Sequence, residues 1–161
     1  MIDGTSVTGL RTAAASALAT QMLARPEAKT LGIFGAGLQA ETHVDAITAV
    51  RPIESVLIWA RNHDAAVTFA EQQSKRTGLS VKAVGDPADA AASDIMIPVQ
   101  EGAIDMGHII GEIGQVASDD LAGRLDDKQI TLYKSLGITA QDLVSSAFVY
   151  RRFLSLNSHS D

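Results

Sequence analysis

Residues 30–40 read TLGIFGAGLQA. Thr30-Leu31-Gly32-Ile33-Phe34 is a short apolar run that stops at Gly35, the pattern of a buried strand. Gly35-Ala36-Gly37-Leu38-Gln39-Ala40 matches G-x-G-x-x-G/A. It stands after that strand and opens a helix over 38–50, with Ala40, Val44 and Ile47 on one face. Each small residue has its own role there. Gly35 permits the tight turn, Gly37 lets a pyrophosphate approach the backbone, and Ala40 lets the helix pack close to the strand. The free N–H groups at the helix start, with its dipole, favour an anionic phosphate. The stretch therefore predicts a dinucleotide-binding turn. The plainer alternative is a glycine turn that holds no ligand.

Downstream, Arg51-Pro52 closes the first helix, and Val56-Leu57-Ile58-Trp59 reads as a second apolar strand. A second helix over 63–76 places Ala66, Phe69, Ala70 and Gln73 on successive turns, with Gly78 as its stop. Val81-Lys82-Ala83-Val84 is a weaker third strand, Asp86-Pro87 opens an alanine-rich helix to about Ala92, and Ile95-Met96-Ile97 is a fourth strand ended by Pro98. Upstream, residues 5–24 predict a helix capped by Thr5, Ser6 or Thr8 and stopped at Pro26. Val7, Leu10, Ala14, Ala17, Leu18 and Met22 recur in it at helical spacing.

Beyond Pro98 the pattern weakens. Residues 100–114 are glycine-rich, and 117–128 read as a polar loop or short helix. Ile130-Thr131-Leu132-Tyr133 reads as a strand. Thr139-x-x-Asp142, close to a capping box, opens a helix to about Phe153 with Leu143, Val144, Ala147 and Phe148 inward. Alternating strands and helices predict an α/β fold: a Rossmann-like three-layer αβα arrangement around a mainly parallel sheet of at least four strands. The expected organisation is one domain over 1–153, with flanking helices at 5–24 and 139–153 packed together, and a flexible tail over 154–161.

The composition removes whole classes of function. The chain has 161 residues, no Cys, and 13 basic against 19 acidic residues, a formal charge of −6. Without cysteine there is no disulfide framework, thiol nucleophile or Cys-based metal site. An acidic balance argues against nucleic acid as a partner. No apolar run is long enough to span a membrane, and the first residues lack the basic and apolar regions of a secretory signal, so a cytoplasmic protein is expected. His43, His63, His108 and His159 lack metal-ligand spacing, and no metal is expected. Asp119-Asp120 and Asp126-Asp127 read as solvated loop charge, and Ser145-Ser146 has no nucleophile-elbow context.

The end of the second strand bears on which dinucleotide is held. NAD sites place an acid there for the ribose 2′-hydroxyl, about 20 residues past the glycines. Here the segment is Trp59-Ala60-Arg61-Asn62-His63, with no acid before Asp64. Arg61 stands where a 2′-phosphate would lie, so NADP is favoured and NAD stays open. Arg61 and Asn62 join Gly35, Ala36, Gly37, Leu38 and Gln39 as candidate cofactor-binding residues.

Several ordered motifs together resemble the ornithine cyclodeaminase/mu-crystallin family. They are Leu10-Arg11-Thr12-Ala13-Ala14-Ala15-Ser16-Ala17, the glycine stretch at 35–40, Arg51-Pro52-Ile53-Glu54, and Lys134-Ser135-Leu136-Gly137 followed by Gln141-Asp142-Leu143. The resemblance covers most of residues 3–153 in two blocks. It implies a Rossmann domain beside a separate substrate and dimerisation domain, bound NAD(P), and chemistry on small amino or imino acids. By resemblance, Arg11 would bind a substrate carboxylate, and Ser135 and Leu136 would lie near the nicotinamide. The chain also departs from the family. The N-terminal substrate-binding part and its lysine have no counterpart. After Ala91-Ala92-Ser93-Asp94-Ile95 the family's threonine-rich turn and catalytic aspartate are replaced by Met96-Ile97-Pro98-Val99-Gln100, which leads straight into a later family segment. The catalytic residue is therefore unknown.

Three functions stay open. The chain is an NADP-dependent oxidoreductase or deaminase of small amino or imino acids, a module that binds the cofactor without turnover, or a structural remnant that serves association. A homodimer or higher homo-oligomer is expected, because a trimmed sheet leaves apolar surface to cover.

Overall fold

A computed structural model describes residues 3–86, 110–131, 133 and 139–157. The described elements are α1 (Gly4–Leu23), β1 (Thr30–Phe34), α2 (Leu38–Thr48), β2 (Ser55–Trp59), α3 (His63–Thr77), β3 (Ser80–Ala83), α4 (Ile113–Ala117) and α5 (Thr139–Asn157). Among the described residues the sheet has three strands in the order β1-β2-β3. Both pairs are parallel, with Leu31, Val56 and Val81 in one cross-strand row and Ile33, Ile58 and Ala83 in the next. This is the Rossmann-like β-α-β-α-β half that the glycine stretch predicts.

Strand alternation puts those two rows on one face of the sheet. There they meet Ala40, Val44 and Ile47 of α2 and Ala66, Phe69 and Ala70 of α3, which completes the core. Ile58, Val44 and Val56 are its most enclosed side chains. The opposite face carries Gly32, Phe34, Leu57, Trp59 and Lys82, none of them buried. On that face the Phe34 and Trp59 rings lie 5.7 Å apart and tilted by 53°, a favourable aromatic geometry.

Helix α1 packs on α2, and α5 packs on α1. Gly9 is buried where the first two helices meet, and a Cβ there would come within 3.3 Å of the Thr42 methyl group. Nearby, His43 links the helices: its Nδ1 donates to the Gln39 carbonyl (2.6 Å), which leaves Nε2 to accept from the Ser16 hydroxyl (3.0 Å). The carbonyls at the C-terminus of α1 have no partners inside the helix. Arg51 donates to the carbonyls of Gln21 (2.8 Å), Ala24 (2.9 Å) and Arg25 (3.1 Å). Arg124 Nε and the Thr131 hydroxyl both donate to Leu23 O, at 2.7 and 2.9 Å.

The structure corrects several expectations. The N-cap of α1 is Asp3, whose carboxylate accepts from the backbone N–H of Thr5 and Ser6, in place of Thr5, Ser6 or Thr8. No strand forms at Ile130, Thr131 or Tyr133. Thr131 is drawn to the end of α1 instead, and Ile130 is 99% exposed. Helix α5 runs on to Asn157, so the tail begins later than 154. Leu143, Val144 and Phe148 do not point inward: each is about 70% exposed. The side of α5 turned to α1 is instead the polar one that carries Gln141 and Asp142. Gly78 ends α3 in the left-handed conformation, φ 75°, as its position predicts. The alanine-rich helix after Asp86-Pro87, the strand at Ile95–Ile97 and His108 lie outside the described residues.

Two outcomes follow for stability. Arg51→Ala removes three charge-assisted hydrogen bonds at the end of α1; chemical denaturation is expected to show a loss of about 3 kcal/mol. The Asp3 carboxyl is held below its ordinary 3.8, chiefly by the Ser6 hydroxyl and then by the Ser6 and Thr5 N–H groups. Its stabilising effect is present above that value and lost as pH falls through the lowered one. Melting of Asp3→Ala against the parent should differ at pH 6, and the difference should vanish in strong acid.

Candidate functional site

The site grows out of the ends of β1 and β2. Gly35 has φ 109°, a backbone that L side chains rarely adopt, and its N–H donates to Trp59 O at 2.8 Å. The turn is thereby tied to the end of β2. Gly37 then serves as the N-cap of α2 in extended geometry, with no side-chain hydrogen bond to the helix start. The first-turn N–H groups of α2 are left for a ligand. A Cβ at Gly37 would meet nothing within 4 Å, so open space lies in front of the loop. Glu41, the acid of that first turn, faces Arg76 Nε at 3.6 Å, which offsets part of its repulsion for an anion. Arg76 also forks onto Asp45 (2.7 and 3.1 Å), and that hydrogen bonding raises its already high pKa further.

Two clefts flank the loop. One, about 530 Å³, is walled by Phe34, Gly35, Ala36, Trp59, Arg61 and Asn62. The other, about 490 Å³, lies between the start of α1 (Gly4, Thr5, Thr8) and Gly37-Leu38-Gln39. The loop is their shared wall. An extended ligand would rest its middle on the loop and one end in each cleft.

The structure brings the predicted loop residues and the end of β2 together. Ala36 packs on the core and offers only backbone to a ligand. Leu38 and Gln39 are exposed at the mouth of the second cleft. Arg61 is exposed, with its guanidinium free of ion pairs among the described residues. Asn62 also acts elsewhere, since its Oδ1 caps α3 by accepting from Ala65 N–H at 3.1 Å. Arg11 lies one helical turn beyond Thr8, largely buried, in an ion pair with Asp142 and 3.4 Å from Gln141 Oε1. Ser135 and Leu136 lie outside the described residues. Among the described residues no cluster of His, Asp or Glu fits a metal ion, and no helix is long and apolar enough to cross a membrane. Sequence reading missed Thr5 and Thr8 as cleft walls and Asp142 as the partner of Arg11. No local signal links Arg11 to Gln141 and Asp142, which lie 130 and 131 positions further on.

The fold and the loop define a Rossmann-type domain with the glycine turn of dinucleotide-binding proteins. The family is then specific: the chain belongs to the ornithine cyclodeaminase/mu-crystallin family, whose model matches residues 1–103 and 99–157. It is 29% identical to a Delta(1)-pyrroline-2-carboxylate reductase of Bacillus cereus, over 96% of this chain and 66% of the relative. It is 38% identical over 92 residues to a Sinorhizobium fredii protein described as an uncharacterized cyclodeaminase, over 57% of this chain and 28% of that one. Its fold matches the Thermococcus litoralis Delta(1)-pyrroline-2-carboxylate reductase, solved with NADH and L-proline, at TM-score 0.88 and 29% identity, over 96% of this chain and 67% of that one. The chain thus spans just under two thirds of the length of the first curated relatives. The B. cereus alignment runs over 216 positions, of which 96% of 161 residues fills about 155; about 60 positions of the relative have no counterpart here. The two family matches overlap at residues 99–103.

The two loop glycines should separate experimentally. Gly35→Ala forces a side chain into a left-handed backbone and is expected to lower stability by about 1–3 kcal/mol. Gly37→Ala meets open space at φ −136° and should stay within about 0.5 kcal/mol of the parent by thermal melting.

Proposed function

We propose that this chain binds NAD(P), with NADP preferred, and takes a small amino or imino acid beside it. The observation that carries the reading is the open loop at 35–37, set between two clefts at the start of α2. The first-turn N–H groups would take the pyrophosphate, and Trp59 and Phe34 would flank the adenosine end. Arg61 would pair with a 2′-phosphate as a charge-assisted fork. Arg11 would take the ligand's carboxylate. Ser135 and Leu136 would lie near the nicotinamide. The bound dinucleotide supplies hydride chemistry, and the chain's part is to hold the imine carbon against it and exclude water. The likeness to pyrroline-2-carboxylate reductases, one of them solved with NADH and L-proline, supports a cyclic imino acid as the substrate class.

Binding without turnover is the second reading, and one observation favours it. About 60 aligned positions of the relative have no counterpart here, the two family matches overlap at residues 99–103, and the resemblance finds no counterpart of the family's catalytic aspartate. Reduction of an imine needs an acid positioned at its nitrogen, and the family resemblance assigns that role to no residue of this chain.

We also infer a single domain, expected over residues 1–153 and extended by α5 to Asn157, that self-associates in the cytoplasm. The apolar exposure of Leu143, Val144 and Phe148 on α5, beside Leu10 and Leu18 on α1, supports association. Sedimentation at micromolar concentration should show a dimer or larger species; a monomer overturns it.

Titration with NADPH and NADH, read by Trp59 quenching, tests the cofactor. Both should bind, NADPH the more tightly. Arg61→Ala should weaken NADPH by about tenfold or more and leave NADH within about twofold. Gly37→Ala should abolish both. Failure of the parent chain to bind either nucleotide overturns the proposal.

A further inference from the structure

The Arg11 guanidinium has five N–H donors, and the structure divides them. Nε is buried against the Asp142 carboxylate, in contact but without an aligned hydrogen bond. Nη1 reaches Gln141 Oε1 only at 3.4 Å. Among the described residues Nη2 meets no acceptor, and it is not among the buried unpaired atoms, so it reaches solvent. The Arg11 side chain is 16% exposed and Asp142 45%. Arg11 follows Thr8, which walls the second cleft, by three positions on α1; this puts it about 4.5 Å further along the same helix face.

We propose that Asp142 is a positioning residue: it holds Arg11 by the Nε side so that the Nη1/Nη2 edge is presented to the carboxylate of a small ligand in the cleft. This rests on the reading of Arg11 as a carboxylate-binding residue. The division of donors carries it. A carboxylate binds an arginine fork through two parallel N–H groups, and pairing at Nε leaves the terminal Nη1/Nη2 pair for that purpose. The contact to Nη1 is long enough to yield. A long side chain without such an anchor would spend its time in many rotamers, and fixing it on binding costs affinity. The C-terminal helix, which offers no group to the glycine loop, thereby becomes part of the ligand site.

The test uses the full chain with NADH and pyrrole-2-carboxylate, a planar cyclic carboxylate, as the probe. The parent should bind the probe, and Arg11→Ala should lose it. Asp142→Asn should weaken it about tenfold while NADH affinity and melting temperature hold, and Asp142→Glu should recover most of the loss. In nitrogen-resolved NMR the Arg11 Nε–Hε signal of the parent should persist unshifted when the probe binds. Asp142→Asn binding the probe like the parent overturns the positioning role. So does equal loss of probe, NADH and melting temperature, which would mark a purely structural pair. If the Nε–Hε signal moves on probe binding, Asp142 is displaced and competes with the ligand; this also overturns the proposal, and it is readable on the parent even where the variants fold poorly. If the parent and Arg11→Ala bind the probe equally, or neither binds it, the carboxylate reading of Arg11 itself has failed.

Discussion

The open carbonyls at the end of α1 govern the rest of the arrangement. Helix α1 carries Thr5, Thr8 and Arg11, and it is seated chiefly on α2. A helix standing outside the sheet needs its angle fixed at both ends. The Arg51 guanidinium does this at the C-terminus, donating to Gln21, Ala24 and Arg25 from the segment that leads into β2. Arg124 and Thr131 close the same end from the other side of the sequence by donating to Leu23. Gly9 sets the close approach near the opposite end. With these anchors the start of α1 faces the start of α2, and the second cleft exists. Without them the glycine loop would open onto solvent on that side.

The loop makes a different kind of demand. Gly35 takes a backbone that a residue with a side chain would strain to adopt, and its N–H ties the turn to Trp59 at the end of β2. Gly37 leaves the N–H groups of α2 uncapped. In a helix with no function at its end, a serine or aspartate would satisfy them, as Asp3 does for α1 and Asn62 for α3. The missing cap on α2 leaves those donors open, as the proposed pyrophosphate contact requires. Tethered loop, uncapped helix and open space together would preorganise a binding site: the cost of exposing the donors is met in folding, not in binding.

What is legible in the sequence follows from how local each signal is. Strand, glycine turn and helix at 30–48 depend on neighbours in sequence, and β1, α2, β2, α3 and β3 appear where the pattern puts them. Gly78 is legible because a left-handed helix end selects glycine. The N-cap lies at least two residues before the predicted positions because Asp3, Thr5, Ser6 and Thr8 all qualify chemically. Ile130–Tyr133 reads as a strand by residue type, but a strand needs a partner edge, and Thr131 is held by the end of α1 instead. The inward face of α5 is reversed for a related reason. Its apolar residues outnumber what one neighbouring helix can cover, and the ion pair of Asp142 with Arg11 turns the polar side toward α1.

That reversal bears on how the molecule is completed. A helix whose polar side faces its own fold and whose Leu143, Val144 and Phe148 face outward has used its specific interactions internally and left its nonspecific ones for a surface beyond. The sheet shows the same asymmetry. Its buried rows lie under α2 and α3, while Phe34 and Trp59 pair on the other face with ring surface still accessible. The two exposures differ in kind. The aromatic pair stands beside the loop and Arg61, where a flat, polar-edged ligand is the fitting cover. The α5 stripe of Leu143, Val144 and Phe148 runs on into the exposed Arg151 and Arg152, so a cover there would meet apolar surface first and positive charge beyond it. The proposed ligand binding and association would thus draw on separate surfaces, and Arg11 with Asp142 is the contact that joins the helix bearing one to the helix bordering the other.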